Sequence, residues 1–184
     1  MSDTESPTVL LVDDEPDLVD LYEMFLSERY DVRTATGGPE ALERVDGTVD
    51  VALLDRRMPG MSGDEVLSEI QSRELDVRTA MLTAVEPDAD IVDMPFDDYR
   101  VKPVDRDDLI GLVEVLLERA TYDAQSQAFF SLASKKAALE VAGSDDTEAY
   151  ADLVAELDDR REEIDDTLDR VGAEAAFREL PGEE

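Results

Sequence analysis

The sequence predicts a doubly wound α/β domain, a five-stranded parallel sheet with helices on both faces, followed by a C-terminal α-helical hairpin. Two observations predict the first part. Short apolar runs alternate with segments whose apolar residues recur at helical spacing, and such βα alternation argues for a parallel sheet covered on both sides. Four of those runs also end on reactive or binding groups, which in an open parallel sheet gather at the edge where ligands bind. A third observation predicts the hairpin. Beyond about residue 120 the strand patterns stop, and Gly and Pro are nearly absent until Gly172.

The elements follow in order. Val9 to Val12 is an apolar run ending on Asp13-Asp14-Glu15, and Pro16 suits the first turn of a helix. Leu18, Val19, Leu21, Tyr22, Phe25 and Leu26 then recur at helical spacing to about Glu28. Tyr30 to Ala35 alternates as a strand, and Gly37-Gly38-Pro39 opens a helix carrying Ala41, Leu42 and Val45. Val49 to Leu54 is a third strand ending on Asp55, and the Pro- and Gly-rich loop from Arg56 to Gly63 cannot continue it. Ser62-Gly63-Asp64 starts a helix with Val66, Leu67 and Ile70 inward. Arg78 to Thr83 and Asp98 to Val101 are the last two strands, the second delivering Lys102-Pro103. A helix begins at Asp105. From Ala84 to Phe96, between Thr83 and Lys102, Pro87, Pro95 and four acids leave no sustained helical period, so a helix there is short or irregular.

The groups at the strand ends define a chemistry. Carboxylates from Asp13, Asp14 and Asp55 at one edge repel one another unless a hard cation sits among them. Mg2+ suits oxygen ligands and is held by one or two carboxylates plus a phosphate. A carboxylate can itself attack phosphorus. The charge of the transferring group then needs cations and donors, which Lys102 and Thr83 supply. The set reads as a site that takes a phosphoryl group on Asp55, with Mg2+ held by Asp14, Asp55 and one backbone carbonyl.

Residues 8–120 resemble the receiver domain of two-component response regulators, whose fold is flavodoxin-like. The resemblance rests on Asp13-Asp14, Asp55 with Met58-Pro59-Gly60, Thr83-Ala84 and Lys102-Pro103, in order and at strand ends. It implies that Asp55 is the phosphoacceptor, that Asp14 binds the metal directly and Asp13 through water, and that Arg57 offers its backbone carbonyl to the metal. It further implies that Thr83 binds and reports the phosphoryl group, that Lys102 pairs with it, and that Tyr99 is the aromatic switch. The Lys102-Pro103 peptide is expected to be cis. The implied partner is a sensor histidine kinase. The implied enzymology is limited to self-phosphorylation from a donor and slow autodephosphorylation.

Composition bounds the rest. With 49 acids against 17 bases the formal net charge is −32, and lysine occurs only at 102, 135 and 136. Such charge weakens the compact state through self-repulsion, and molar salt screens it, so a cytoplasmic protein of a salt-accumulating organism is expected. There is no cysteine or histidine. That excludes disulfides, zinc thiolates and a role as the histidine donor of a phosphorelay. The first residues lack a signal-peptide core, and no apolar run reaches the length of a membrane span.

Residues 121–184 are expected to be helical. Ala120 to Ala142 reads as one helix, continuous with the preceding one, and Gly143-Ser144 breaks it. Asp145 with Glu148 fits a capping box. The next helix carries Tyr150, Val154, Leu157, Arg161, Ile164, Leu168 and Val171 at alternating spacings of four and three, a heptad seam with one polar member. Its partner is either the preceding helix or a second chain, giving a homodimer. The stretch from Phe130 to Glu140 resembles the HalX domain found after receivers in halophilic archaea. Two outputs compete, an interaction or dimerisation module and DNA binding. The segment carries 18 acids and 6 bases, which disfavours DNA. Lys135-Lys136 is the cluster weighed for DNA contact, and it reads more simply as a solvated helix face.

Overall fold

The computed structural model describes the backbone of residues 5–120 and 124–171, and the side chains of residues 5–120 and 126–162. Five strands, β1 (Thr8–Val12), β2 (Asp31–Ala35), β3 (Val51–Leu54), β4 (Arg78–Thr83) and β5 (Asp98–Val101), form one sheet in the order β2-β1-β3-β4-β5. Every pairing is parallel. The helices α1 (Pro16–Leu26), α2 (Gly38–Arg44), α3 (Gly63–Ser72) and α4 (Arg106–Arg119) flank it, and the doubly wound expectation is met.

Burial explains the strand sequences. All four residues of β3 are buried, as are the last four of β1, because central strands of a parallel sheet are covered on both faces. The edge strand β2 alternates less cleanly and keeps a polar, partly exposed Arg33. Around the sheet, Val9, Leu11, Val19, Leu26, Leu53 and Val113 belong to one core cluster.

Helix starts are specified locally. Ser62 and Glu65 form a reciprocal capping box at the start of α3, and the Asp105 side chain accepts from the Asp108 amide at α4. Where the two prolines stand between β4 and β5, the chain makes only a 3₁₀ turn, Ala89–Ile91, capped by Asp88.

A half-buried acid marks the other end of the sheet. The Asp97 carboxylate accepts from the Thr79 amide at 2.8 Å and lies 3.7 Å from Arg78 Nη1, while Arg119 donates to the Asp97 carbonyl. Burial outweighs these partners and pushes the Asp97 carboxyl above its ordinary 3.8. The folded state therefore binds this proton more tightly than the unfolded chain, and stability falls as pH rises through the folded pKa. Asp97→Asn, which keeps an acceptor for Thr79, is expected to raise the thermal midpoint at neutral pH and to flatten that fall. Melting curves across the acid range check it.

The chain divides into two compact units. Described residues up to Glu86, together with those from Pro95 to the end of α4, make the first. The second contains Pro87–Met94 and the helices α5 (Ala124–Ala142) and α6 (Glu148–Val171). Continuity between α4 and α5 rests on residues 121–123, which lie outside the described residues. Gly143, at φ +72, ends α5, with the Ser144 amide on the Leu139 carbonyl and the Gly143 amide on the Glu140 carbonyl. That pair of hydrogen bonds is the left-handed stop for which glycine is suited.

Three readings of this segment are corrected. The cap of α6 is Thr147, whose hydroxyl accepts from the Tyr150 amide at 3.1 Å, and not Asp145, which lies a further two residues from the first turn. The most buried described residue of α6 is Leu153 at 1 % exposure, beside the expected Val154 and Leu157, which are half-buried. The apolar stripe is thus wider than a strict heptad seam, as packing on one neighbouring helix requires. Arg161 is exposed, and the side chains of Ile164, Leu168 and Val171 lie outside the described residues. Across the hairpin the Tyr150 hydroxyl donates to Glu140 at 2.5 Å, a bond that holds the phenol pKa up to about 12. Lys135 is only 6 % exposed, so it is no part of a solvated face. Lys136 pairs with Glu140 at 3.0 Å. No helix among the described residues is long and apolar enough to cross a membrane.

Candidate functional site: an acidic pocket at the carboxyl edge of the sheet

Strand register builds the pocket. Val12 of β1 is paired with Leu54 of β3, so Asp13 and Asp55, the next residue on each strand, emerge side by side. Backbone bonds lock this, from the Asp55 amide to the Val12 carbonyl at 2.9 Å and from the Asp13 amide to the Ala35 carbonyl at 3.1 Å. The strand order reverses between β1 and its two neighbours, the switch point at which such sheets bind ligands. On the far side Thr83 pairs with Val101, and the Lys102 amide donates to the Thr83 carbonyl at 2.9 Å. The Lys102-Pro103 peptide is cis.

Asp13, Asp14 and Asp55 each offer a carboxylate oxygen, and these oxygens lie within 4.8 Å of one another. It is the one such group among the described residues. Asp13 and Asp55 are 2 % and 7 % exposed, and Asp14 is half-buried. Lys102 Nζ contacts Asp13 Oδ2 and stands 3.5 Å from Asp55 Oδ2. Burial alone lowers the ammonium pKa, but the bond to Asp13 and the charges of Asp13 and Asp55 outweigh it and hold the group above its ordinary 10.5. Lys102 is therefore a fixed positive charge. The other Asp13 oxygen accepts from the Glu15 amide at 2.9 Å. Three carboxylate oxygens this close are the kind of donor that a small hard divalent ion takes.

The remaining expected residues fall around this centre. The Arg57 amide donates to Asp55 Oδ1 at 3.4 Å, and its side chain is exposed. Thr83 is 1 % exposed, and its hydroxyl accepts from the Val85 amide at 3.2 Å. The Tyr99 hydroxyl donates to the Val85 carbonyl at 2.6 Å, and its ring lies 5.6 Å from that of Phe96. Val85 is thus gripped on its N–H by Thr83 and on its C=O by Tyr99. The Tyr99 ring, the aromatic switch implied by the resemblance, is 3 % exposed, and its hydroxyl is held by the Val85 bond.

Two residues escaped the sequence reading. Tyr22, counted only as helix core, has its phenol pushed up by burial and acted on by the charges of Lys102, Asp13, Glu15 and Asp55. Its hydroxyl has no hydrogen-bond partner among the described residues. Gly63 packs its α-carbon on the end of the strand that delivers Asp55: a Cβ there would lie 2.1 Å from the Asp55 carbonyl oxygen and 2.9 Å from the Arg56 Cα. The Gly63 amide bonds the Arg56 carbonyl at 2.8 Å, and Arg56 Nε reaches Asp64 at 3.1 Å, so the loop returns tightly on itself. Backbone cannot yield as a side-chain tip can. Gly63→Ala is expected to destabilise the domain by about 3 kcal/mol, read by denaturant unfolding, whereas Gly37→Ala, which meets nothing within 4 Å, is expected to be near neutral.

An acid triad with one lysine at the switch point of a 2-1-3-4-5 parallel sheet defines a receiver-type signalling domain. Comparison with known proteins agrees. Residues 9–114 match the response regulator receiver domain and residues 118–181 match the HalX domain. The chain belongs to the response regulator receiver family and carries a HalX domain after the receiver. It is 51 % identical over 159 residues to a candidate transcriptional regulator of Haloferax volcanii, covering 84 % of this chain and 27 % of that protein. It is 33 % identical over 115 residues to the response regulator SaeR of Staphylococcus aureus, covering 60 % of this chain and 50 % of SaeR. The chain therefore spans between a quarter and a half of the length of these relatives. Among solved structures, the Thermotoga maritima response regulator TrrA in complex with Mg2+ and beryllofluoride is 36 % identical with a TM-score of 0.55, over 60 % of this chain and 99 % of that one. The signal receiver domain of a LuxO-type repressor from Vibrio parahaemolyticus is 29 % identical with a TM-score of 0.56, over 62 % and 92 %. Receivers of this family are signalling domains of two-component systems, whose members interact with sensor histidine kinases.

Proposed function

We propose that the receiver, residues 8–120, accepts a phosphoryl group on Asp55 and that the helical domain, residues 121–184, converts it into an interaction output. The convergence of Asp13, Asp14 and Asp55 with the Lys102 ammonium carries this reading. An Asp55 carboxylate oxygen forms the new bond to phosphorus as the P–N bond of a kinase phosphohistidine breaks, and the departing imidazole keeps the electron pair and takes a proton. Hydrolysis reverses the change at aspartate: water attacks phosphorus and the carboxylate leaves. Bound Mg2+ would neutralise charge between the carboxylates and the phosphoryl oxygens, held by Asp14, Asp55 and the Arg57 carbonyl, with Asp13 reaching it through water. Lys102 leaves Asp13 to pair with the phosphoryl group, and Thr83 turns its hydroxyl from the Val85 amide to a phosphoryl oxygen. Tyr99 then answers the change at Val85.

For the output, a homodimer or docking partner built on the α5–α6 hairpin is favoured over DNA. The name of the Haloferax relative keeps transcriptional control in view, but of the basic pair Lys135 is buried and Lys136 is paired. The test is intact-mass and peptide mapping after incubation with acetyl phosphate and Mg2+. One phosphoryl group on the Asp55 peptide is expected, and Asp14→Asn should slow its arrival by about 10-fold or more. Phosphate on another residue would overturn the assignment.

A further inference from the structure

The segment between β4 and β5 does not belong to the unit its neighbours in sequence build. The chain leaves the receiver unit after Glu86, spends Pro87–Met94 in the unit of α5 and α6, and returns at Pro95. What holds it is visible. The segment closes a 3₁₀ turn whose amides are satisfied internally, from Ile91 to the Asp88 carbonyl, Val92 to Ala89 and Met94 to Ile91. Ile91 is fully buried. The carbonyl of Val92, at the negative end of that turn, accepts from Lys135 Nζ of α5 at 2.9 Å. Lys135 is one of three lysines in a chain of net charge −32. A buried ammonium persists only where it is bonded, and a charge-assisted bond to a carbonyl is about twice as strong as a neutral one.

The segment is also the continuation of the expected switch. Two residues before Pro87, Val85 has its N–H on Thr83 and its C=O on Tyr99. A rearrangement of either bond moves the peptide that leads into the turn. We infer that Lys135 is a positioning residue that makes Pro87–Met94 the input arm of the helical domain, so that the state of Thr83 and Tyr99 reaches α5 through the Val92 carbonyl. The inference rests on the proposed role of Asp55. It differs from a route along α4 into α5, which needs no lysine at 135.

The experiment is hydrogen exchange by mass spectrometry on the full chain in molar KCl, with and without Mg2+ and beryllofluoride, for the wild type, Lys135→Met, Lys135→Arg and Ile91→Ala. In the wild type, peptides covering 83–94 and 126–140 should change together. Lys135→Met should keep the change at 83–94 and lose that at 126–140, with acetyl phosphate labelling of Asp55 unaltered. Lys135→Arg, which keeps a donor, should restore it. Ile91→Ala attacks the same link from the turn and should repeat the loss if Lys135→Met does not fold. A response at 126–140 that survives both Lys135→Met and Ile91→Ala overturns the inference, and so does a labelled wild type with no change at 83–94. Failure of the phosphoacceptor reading has a separate signature, no label on Asp55 in the wild type.

Discussion

Asp55→Asn is expected to reduce phosphorylation by acetyl phosphate on the order of 1,000-fold or more, the scale on which removing a nucleophile acts. The amide nitrogen and oxygen keep the shape and most of the hydrogen bonding of the carboxylate, and lose its charge and its nucleophilic oxygen. No neighbour can substitute. Before any transfer, one Asp13 oxygen is held by Lys102 and the other by the Glu15 amide. Asp14 is required beside the incoming group. The variant should fold, because asparagine relieves part of the repulsion among three carboxylates whose oxygens lie within 4.8 Å. Labelling at wild-type rates in a folded Asp55→Asn protein would refute the site.

The second large effect is on stability. Between about 0.15 M and 1 M salt the screening length falls from about 8 Å to about 3 Å. A formal charge of −32 on a chain of 184 residues then ceases to repel itself across the surface. The thermal midpoint is expected to climb by about 10 °C or more over that interval, which at 2–4 °C per kcal/mol corresponds to roughly 3 kcal/mol of relieved repulsion. Scans in KCl and in sucrose separate screening from exclusion effects. A midpoint that does not move with KCl would show that the acids are already paired well enough not to matter.

The receiver was legible because its determinants are local or repeat in register. The buried runs β1 and β3, the Ser62 cap and the prolines at 87 and 95 declare themselves from neighbouring residues, and Asp13 and Asp55 are placed by where their strands end. What escaped depends on distant groups meeting. Gly63 reads as a turn residue until the backbone of Asp55 is found against it. Tyr22 reads as one more apolar helix position until the acid pocket is assembled beside its phenol. Lys135 and Lys136 are adjacent and alike in sequence, yet the Val92 carbonyl comes from 43 residues away to make one of them a buried donor. For α6, Thr147 and Asp145 are both good caps by type, and the choice fell to the residue adjoining the first helical turn.

The burial of the Lys102–Asp13 pair has a consequence for how the site responds to salt. Its side chains are 10 % and 2 % exposed, so little of the pair faces the bulk salt solution. Screening acts on exposed charges and much less on enclosed ones. The change in ionic strength expected to alter the stability of the fold is thus expected to leave the charge balance around Asp55 nearly constant, so that what varies is how many molecules stay folded and not how each folded one is poised.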